Sequence, residues 1–385
     1  MSKKILMADS RSWNAPYRVG SHHYAQQFMR AGYDLCWITH PISPLHRLSR
    51  QYKLYAEDIL DKYRIWRAGG VREGNLLQYT PLTLLPYANV PVLRSNFVHR
   101  NMLRFTVPSL RRYLRKTGFD RVDILWFANP ALSGLLDIVS YAKCVFRIAD
   151  DNAAFQLVPD SVKRAEQQLV GKADAVFVTA QSLQERYAWA QEKLHYLPNG
   201  VDFDFFRNSE PPLPKEYETI PGPRVLYVGT IAEWFDMDLL QSAASALLDH
   251  SFILIGEPHV NLSALTRMKN VFLLGGRPYK DIPAYMNHAD IGIIPFKKSK
   301  LVDAINPVKL YEYFACGLPV VATAWKTLED IKSPALLASS AEEFVALLRR
   351  GLAERERNKQ EYLAFSRTHS WERRFQDILS TLHLL

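Results

Sequence analysis

The residues best suited to do chemistry lie in one run, Asn306-Pro-Val-Lys-Leu-Tyr-Glu-Tyr-Phe-Ala-Cys-Gly-Leu-Pro-Val-Val-Ala-Thr323. Asn306 is an N-cap residue type, Pro307 suits a first helical position, and Gly317 suits a helix end. A helix starting there leaves backbone N–H groups unpaired, and such groups favour an anion. Lys309 in the first turn opposes the helix dipole, a cost that an external anion would relieve. Glu312 lies three residues on, along the same face, where its carboxylate can accept hydrogen bonds from two neighbouring hydroxyls such as those of a ribose. The competing reading is an internal Lys309–Glu312 helix pair. A second group of candidates is glycine at three predicted strand ends: Gly229-Thr230, Gly256 and Gly275-Gly276. Each alone reads as a turn. All three at one edge of a sheet favour close approach of a nucleotide-type ligand to the backbone.

The elements that would carry these residues alternate strand and helix. Strand candidates in the first half are Lys4–Ser10, Asp34–His40, Val122–Asn129, Lys143–Asp150 and Ala173–Ala180, with helical stretches near 19–31, 96–117, 131–140, 160–171 and 181–189. The proline-rich stretch 207–223 reads as a linker. The alternation restarts with strands at Arg224–Ile231, Phe252–Gly256, Val271–Gly275, Ile291–Phe296 and Pro319–Thr323, and helices near 237–249, 261–268, 280–288, 307–316 and 341–356. A terminal amphipathic stretch covers Trp371–Leu384. Strands separated by helices imply parallel sheets with right-handed crossovers. The expected architecture is therefore α/β, with two Rossmann-like domains facing across a cleft: 1–206, then the linker, then 224–368, with 369–385 as a helix returning to the first domain.

Composition narrows the class. The 385 residues are 48% apolar and 23% charged, which is ordinary globular usage for about two domains. Three cysteines (Cys36, Cys144, Cys316) make no disulfide framework and fit a reducing cytoplasm. No stretch approaches the ~20 apolar residues of a spanning helix. Neither G-x-G-x-x-G nor G-x-x-x-x-G-K-[ST] occurs, no His/Cys cluster has metal spacing, and no G-x-S-x-G elbow is present. No metal and no resident cofactor are expected.

Charge is uneven. Residues 1–116 hold 19 Lys+Arg against 6 Asp+Glu, and the remainder holds 29 against 33. Arg47, Arg50, Lys53, Lys62, Arg64 and Arg67 alternate with Tyr52, Tyr55, Tyr63 and Trp66. Arg94, Arg100, Arg104, Arg111, Arg112, Arg115 and Lys116 follow, with Phe97, Leu103, Phe105, Leu110 and Leu114 between them. A solvated helix face, attraction to an anionic leaflet and nucleic-acid binding all remain open; the last lacks any recognition motif.

The 306–323 run resembles the donor-site helix of GT-B glycosyltransferases. Leu197-Pro-Asn-Gly-Val-Asp202, Ala289-Asp290 through Pro295, and Ser370-Trp371 also match. The resemblance implies that Lys309 and the helix start at Pro307 and Val308 hold a nucleotide diphosphate, usually without metal. It further implies that Glu312 binds the ribose and that Gly275-Gly276-Arg277 lines the base, with UDP favoured. The Glu that retaining members carry eight residues before Glu312 is Ala304 here, with Asp303 beside it. A more detailed likeness is to the glucuronosyltransferase of xanthan assembly and related surface-polysaccharide enzymes. Arg147-Ile-Ala-Asp150 matches their Arg-x-x-Asp segment, whose Asp is the general base; Asp151 offers a second carboxylate. Val19-Gly-Ser-His-His-Tyr-Ala-Gln27 resembles their first helix and puts His22 and His23 on the acceptor side. A carboxylate opposite the departing diphosphate is what direct displacement at an anomeric carbon needs. The expectation is an inverting, metal-independent transferase moving a sugar from a nucleotide sugar to a lipid-linked or polysaccharide acceptor. It would be cytoplasmic and peripheral at the inner membrane face, binding no nucleic acid. A retaining transferase, a nucleotide-sugar epimerase and a non-catalytic nucleotide-binding subunit are the alternatives.

Overall fold

The computed structural model describes residues 2–15, 18–45, 56–87, 92–151, 158–207 and 211–384. The chain divides into two compact units. The first comprises Met1–Thr179, Leu183–Leu197 and Ile378–Leu385, the second Ala180–Ser182 and Pro198–Asp377.

In the first unit eight strands are ordered β3-β4-β2-β1-β5-β6-β7-β8. They are β1 (Lys4–Asp9), β2 (Asp34–Thr39), β3 (Val71–Glu73), β4 (Leu76–Tyr79), β5 (Arg121–Phe127), β6 (Ser140–Ile148), β7 (Ala175–Val178) and β8 (Leu194–Tyr196). All neighbours pair in parallel except β3, which runs antiparallel to β4. Ile5 to Asp9 are buried without a break, as in a parallel sheet covered on both faces.

The second unit holds a parallel sheet ordered β11-β10-β9-β12-β13-β14. Its strands are β9 (Arg224–Val228), β10 (Ser251–Ile255), β11 (Val271–Gly275), β12 (Ile291–Ile294), β13 (Val320–Thr323) and β14 (Leu336–Ala338). Numbered from β9, this is the doubly wound order 3-2-1-4-5-6, whose switch point lies between β9 and β12. The loops leaving those two strands are joined there: Asp236 N–H donates to the Pro295 carbonyl (2.8 Å) and Lys297 N–H to that of Trp234 (2.7 Å).

Several elements depart from the sequence expectation. The stretch 96–117 is two helices, Asn96–Asn101 and Leu110–Thr117, and 131–140 is a 3-10 helix, Pro130–Asp137. Only Leu265–Arg267 of the 261–268 helix forms, also as a 3-10 turn. The helix expected over 341–356 runs from Ala341 to Thr368. The proline-rich stretch, apart from 208–210, which lies outside the described residues, belongs to the second unit and buries Tyr217 and Ile220 in its core. The final helix, Trp371–Thr381, starts in the second unit; from Ile378 its residues belong to the first.

Candidate functional site

In the second unit the Val308–Ala315 helix connects β12 to the parallel β13, so its N-terminus lies at the carboxyl edge of the sheet. The glycine-bearing strand ends share that edge. Gly229 N–H donates to the Ile255 carbonyl (2.9 Å), and Gly256 N–H donates to the Gly275 carbonyl (3.0 Å). The glycines serve different ends, however. A Cβ on Gly256 would land on the Gly229 carbonyl oxygen, so its missing side chain admits the neighbouring strand end rather than open space. A Cβ on Gly229 would sit 3.0 Å from the Tyr227 hydroxyl, which donates to the Thr230 carbonyl (2.8 Å). Gly275 has φ +71° with nothing near its Cβ position, and Gly276 is exposed.

The start of the helix differs from expectation. Its N-cap position is Pro307, and no side chain caps it. Asn306 does not cap because its Oδ1 is used elsewhere: it accepts from Asn199 N–H (3.2 Å) and from the Tyr311 hydroxyl (3.2 Å). Asn199 also donates through Nδ2 to the Asn306 carbonyl (2.7 Å). Two motifs read separately in the sequence, the one around Asn199 and the one from Asn306, are thus bonded together. Lys309 Nζ pairs with Glu312 Oε2, the internal pair that the spacing allowed. Glu312 is buried, whereas Lys309 is partly open and lies 5.9 Å over the Tyr279 ring. The loop after β11 therefore reaches Lys309 through Tyr279, a residue the sequence reading passed over.

Arg277 is held inside the same unit. Its Nη2 donates to Glu216 Oε1 (2.6 Å) and its Nε to the Tyr285 hydroxyl (2.9 Å), which in turn donates to Glu216 Oε2 (3.1 Å). Glu216's own backbone N–H and Arg277 hold its carboxyl below the usual carboxylate range. Glu216 lies in the proline-rich stretch, where nothing in the sequence marks it as a partner.

The other candidates lie in the first unit. Arg147, in β6, is buried; its guanidinium packs against Gly20 and lies 5.3 Å over the Tyr24 ring. The end of β6 and the start of the Gly20–Arg30 helix are thereby in contact, bringing Arg147 to the segment that the sequence resemblance assigns to the acceptor side. Asp150 follows two residues beyond β6. Its surface is exposed, yet the protein around it is dense enough for desolvation to push its carboxyl up, with Arg147 pulling the other way. Asp151 is ion-paired with Arg186.

His22 is buried with both ring nitrogens engaged: Nδ1 accepts from Val19 N–H (3.3 Å), and Nε2 lies 3.2 Å from the Ser12 carbonyl. That pattern fits a neutral ring, and burial lowers its pKa. The ring packs between Trp13 and Trp37, with centroids 5.5 and 4.7 Å away. His23 is buried too. The loop after β1 is further tied by Ser12 N–H to Asp58 Oδ1 (2.8 Å) and Lys62 Nζ to the Ser10 carbonyl (2.6 Å). Lys62, counted in the basic stretch, is therefore a buried partner of Asp58 (2.6 Å) and not part of a solvated face. Arg47, Arg50 and Lys53, with Tyr52 and Tyr55, lie outside the described residues. Among the described residues no group of three or more His, Cys, Asp or Glu is placed to hold a metal ion.

Comparison with known proteins fits this arrangement. Residues 7–179 match the family described as glucuronosyltransferase GumK, N-terminal domain, and residues 222–354 match glycosyl transferases group 1. The Bacillus subtilis (strain 168) protein described as "Putative teichuronic acid biosynthesis glycosyltransferase TuaH" is 26% identical over 228 residues, covering 54% of this chain and 57% of that relative's length. Among solved structures, sucrose-phosphate synthase from Thermosynechococcus elongatus superposes with a TM-score of 0.73 at 14% identity, over 99% of this chain and 98% of that one. Anabaena Alr3699/HepE in complex with UDP and glucose gives 0.68 at 16% identity over the whole of both chains. At these identities the structural likeness shows the fold. With two family matches falling one in each unit, the chain belongs among the GT-B glycosyltransferases, related to the GumK family through its N-terminal part.

Proposed function

We propose that the protein transfers a sugar from a UDP-sugar to a lipid-linked or polysaccharide acceptor, with inversion and without a metal ion. The observation that carries this reading is the uncapped start of the Val308–Ala315 helix, with Lys309 and Glu312 in its first turns at the carboxyl edge of the sheet. Its unpaired N–H groups and Lys309 form an anion site, and a diphosphate entering it would draw Lys309 away from Glu312. Glu312 would then accept the ribose hydroxyls that replace the ammonium group. The UDP and UDP-glucose complexes of the Anabaena structures, and the polysaccharide role named for TuaH, support this donor and acceptor class.

In the reaction the acceptor hydroxyl oxygen forms a bond to the anomeric carbon as the bond from that carbon to the diphosphate oxygen breaks. The electron pair leaves on the diphosphate, where Lys309 and the helix start stabilise it. The hydroxyl proton passes to Asp150. Asp150 is preferred to Asp151 because Asp151 is already paired with Arg186, and because desolvation pushes the Asp150 carboxyl up, which makes its ionised form the stronger proton acceptor. Position 304 is a buried alanine with no carboxylate to assist retention. A basic, partly apolar surface at residues 92–116 supports a peripheral site on the inner membrane face.

The test is to incubate the full chain with labelled UDP-glucose or UDP-glucuronic acid and bacterial lipid extract, in chelator, following UDP release and the anomeric configuration of the product by NMR. An inverted product is expected. A retained configuration would overturn the displacement mechanism. UDP binding without turnover with any donor would leave a non-catalytic nucleotide-binding role.

A further inference from the structure

Asp150 stands two residues beyond the end of β6, where the sheet ladder no longer holds the chain. Its neighbours are nonetheless tied, one on each side. The Ala149 carbonyl accepts from the Thr179 hydroxyl (2.6 Å), and Thr179, the first residue after β7, is buried. The Thr179 N–H also donates to the Ile148 carbonyl (3.3 Å), so this one residue carries the contact between β6 and β7 past the end of both strands. On the other side, Asp151 Oδ1 accepts from Arg186 Nη1. Arg186 ends the Gln181–Arg186 helix, and its guanidinium lies 5.6 Å over the Tyr187 ring. Tyr187 is buried, and its hydroxyl donates to Glu166, itself buried in the Asp160–Lys172 helix. The partner of Asp151 is thus set against a ring that is pinned in turn. All of these residues belong to the first unit.

We infer that Thr179 and Arg186 are positioning residues for Asp150, holding the chain immediately before and after it so that its carboxylate meets the acceptor hydroxyl in one place. The inference rests on the assignment of Asp150 as the base given above, and it turns Asp151 from a spare carboxylate into the anchor of the same loop. Stability is a poor account of the outer tie. Both partners are partly open to solvent, and such an ion pair adds little to folding. Catalysis is far more sensitive, since a reacting group displaced by about 1 Å can forfeit a large part of its rate.

The experiment follows UDP-sugar turnover and UDP affinity on the full chain. Arg186→Ala should lower kcat roughly ten- to hundredfold, with UDP affinity within about twofold of wild type. Arg186→Lys, which keeps a cation beside Asp151, should recover most of the loss. Thr179→Val keeps the branched shape and removes the hydroxyl; a several-fold loss in kcat is expected, restored in Thr179→Ser. Should Arg186→Ala fail to fold, Arg186→Gln gives the same readout. A cycle separates positioning from a merely structural role: added to Asp150→Asn, Arg186→Ala should change the residual turnover by no more than about twofold, because no base is left to place. An undiminished effect in that background, or kcat unchanged in either folded single variant, would overturn the positioning role while leaving Asp150 as the base. Wild-type turnover in Asp150→Asn, or no turnover in the wild type, would instead overturn both.

Discussion

Lys309 and Glu312 satisfy one another when no ligand is bound, and that governs what each substitution does. Lys309→Met strands a buried carboxylate, whereas Glu312→Gln leaves a lysine that can reach water. Breaking such a pair from the lysine side should cost about 3 kcal/mol of stability, and from the glutamate side about 1 kcal/mol or less. Denaturant unfolding of the two variants checks this, and equal losses would contradict the asymmetry. Only Lys309→Met should weaken UDP more than uridine. Asp150 is the other residue with a definite expectation. Desolvation raises its carboxyl pKa, so the basic form is lost on acidification at a higher pH than for an ordinary carboxylate. The acid limb of kcat/KM should therefore lie above pH 3.8, the reference value for a free Asp side chain. Asp150→Asn should lower kcat by about 10²-fold or more without changing UDP affinity. A rate profile with the same limb in Asp150→Asn would remove Asp150 as the base.

The elements were legible where burial imposes a pattern and illegible where polar contacts carry the structure. Strands β1, β2, β9, β10 and β12 are continuous apolar runs and fall within a residue or two of their expected starts. The three-residue strands β3 and β8 are too short and too mixed to show a period. The sequence pattern ends the Ala341–Thr368 helix early because charged residues interrupt its apolar stripe; Arg350–Glu354 and Arg357–Glu354 pairs carry it to Tyr362 and Leu363, where burial resumes. Asn306 was misread as a cap because its partner, Asn199, is 107 residues away in the chain. The glycines do stand at the ends of β9, β10 and β11, but what each does there is not uniform. Gly256→Ala drives a methyl group into the Gly229 carbonyl and should cost about 3 kcal/mol or more, whereas Gly275→Ala meets open space and pays only for its positive φ, about 1 kcal/mol. Thermal unfolding of the two variants decides whether steric closure or backbone conformation dominates at this edge.

Across the whole molecule the charge separates along the chain, with the positive excess confined to residues 1–116. The structure removes Lys62 from that excess and leaves Arg94, Arg100, Arg104, Arg111, Arg112, Arg115 and Lys116 on the surface. The apolar residues among them divide. Leu103, Leu110 and Leu114 are core, but Phe97, Phe105 and Val107 are exposed by 67, 48 and 44%. Under the membrane reading proposed above, both kinds of residue have a place on an anionic bilayer surface: arginines at the headgroups and rings at the acyl boundary. No described helix is long and apolar enough to cross a membrane. The two contributions separate by salt. Arg94→Gln with Arg100→Gln should reduce partitioning onto vesicles containing phosphatidylserine by about tenfold or more, and should flatten its dependence on ionic strength. Phe97→Ser with Phe105→Ser should weaken binding while leaving the salt dependence nearly unchanged, because the lost free energy is that of apolar burial. Binding to neutral phosphatidylcholine vesicles equal to that on the anionic ones would mean that the basic stretch is a solvated face and that the acceptor is met away from the bilayer.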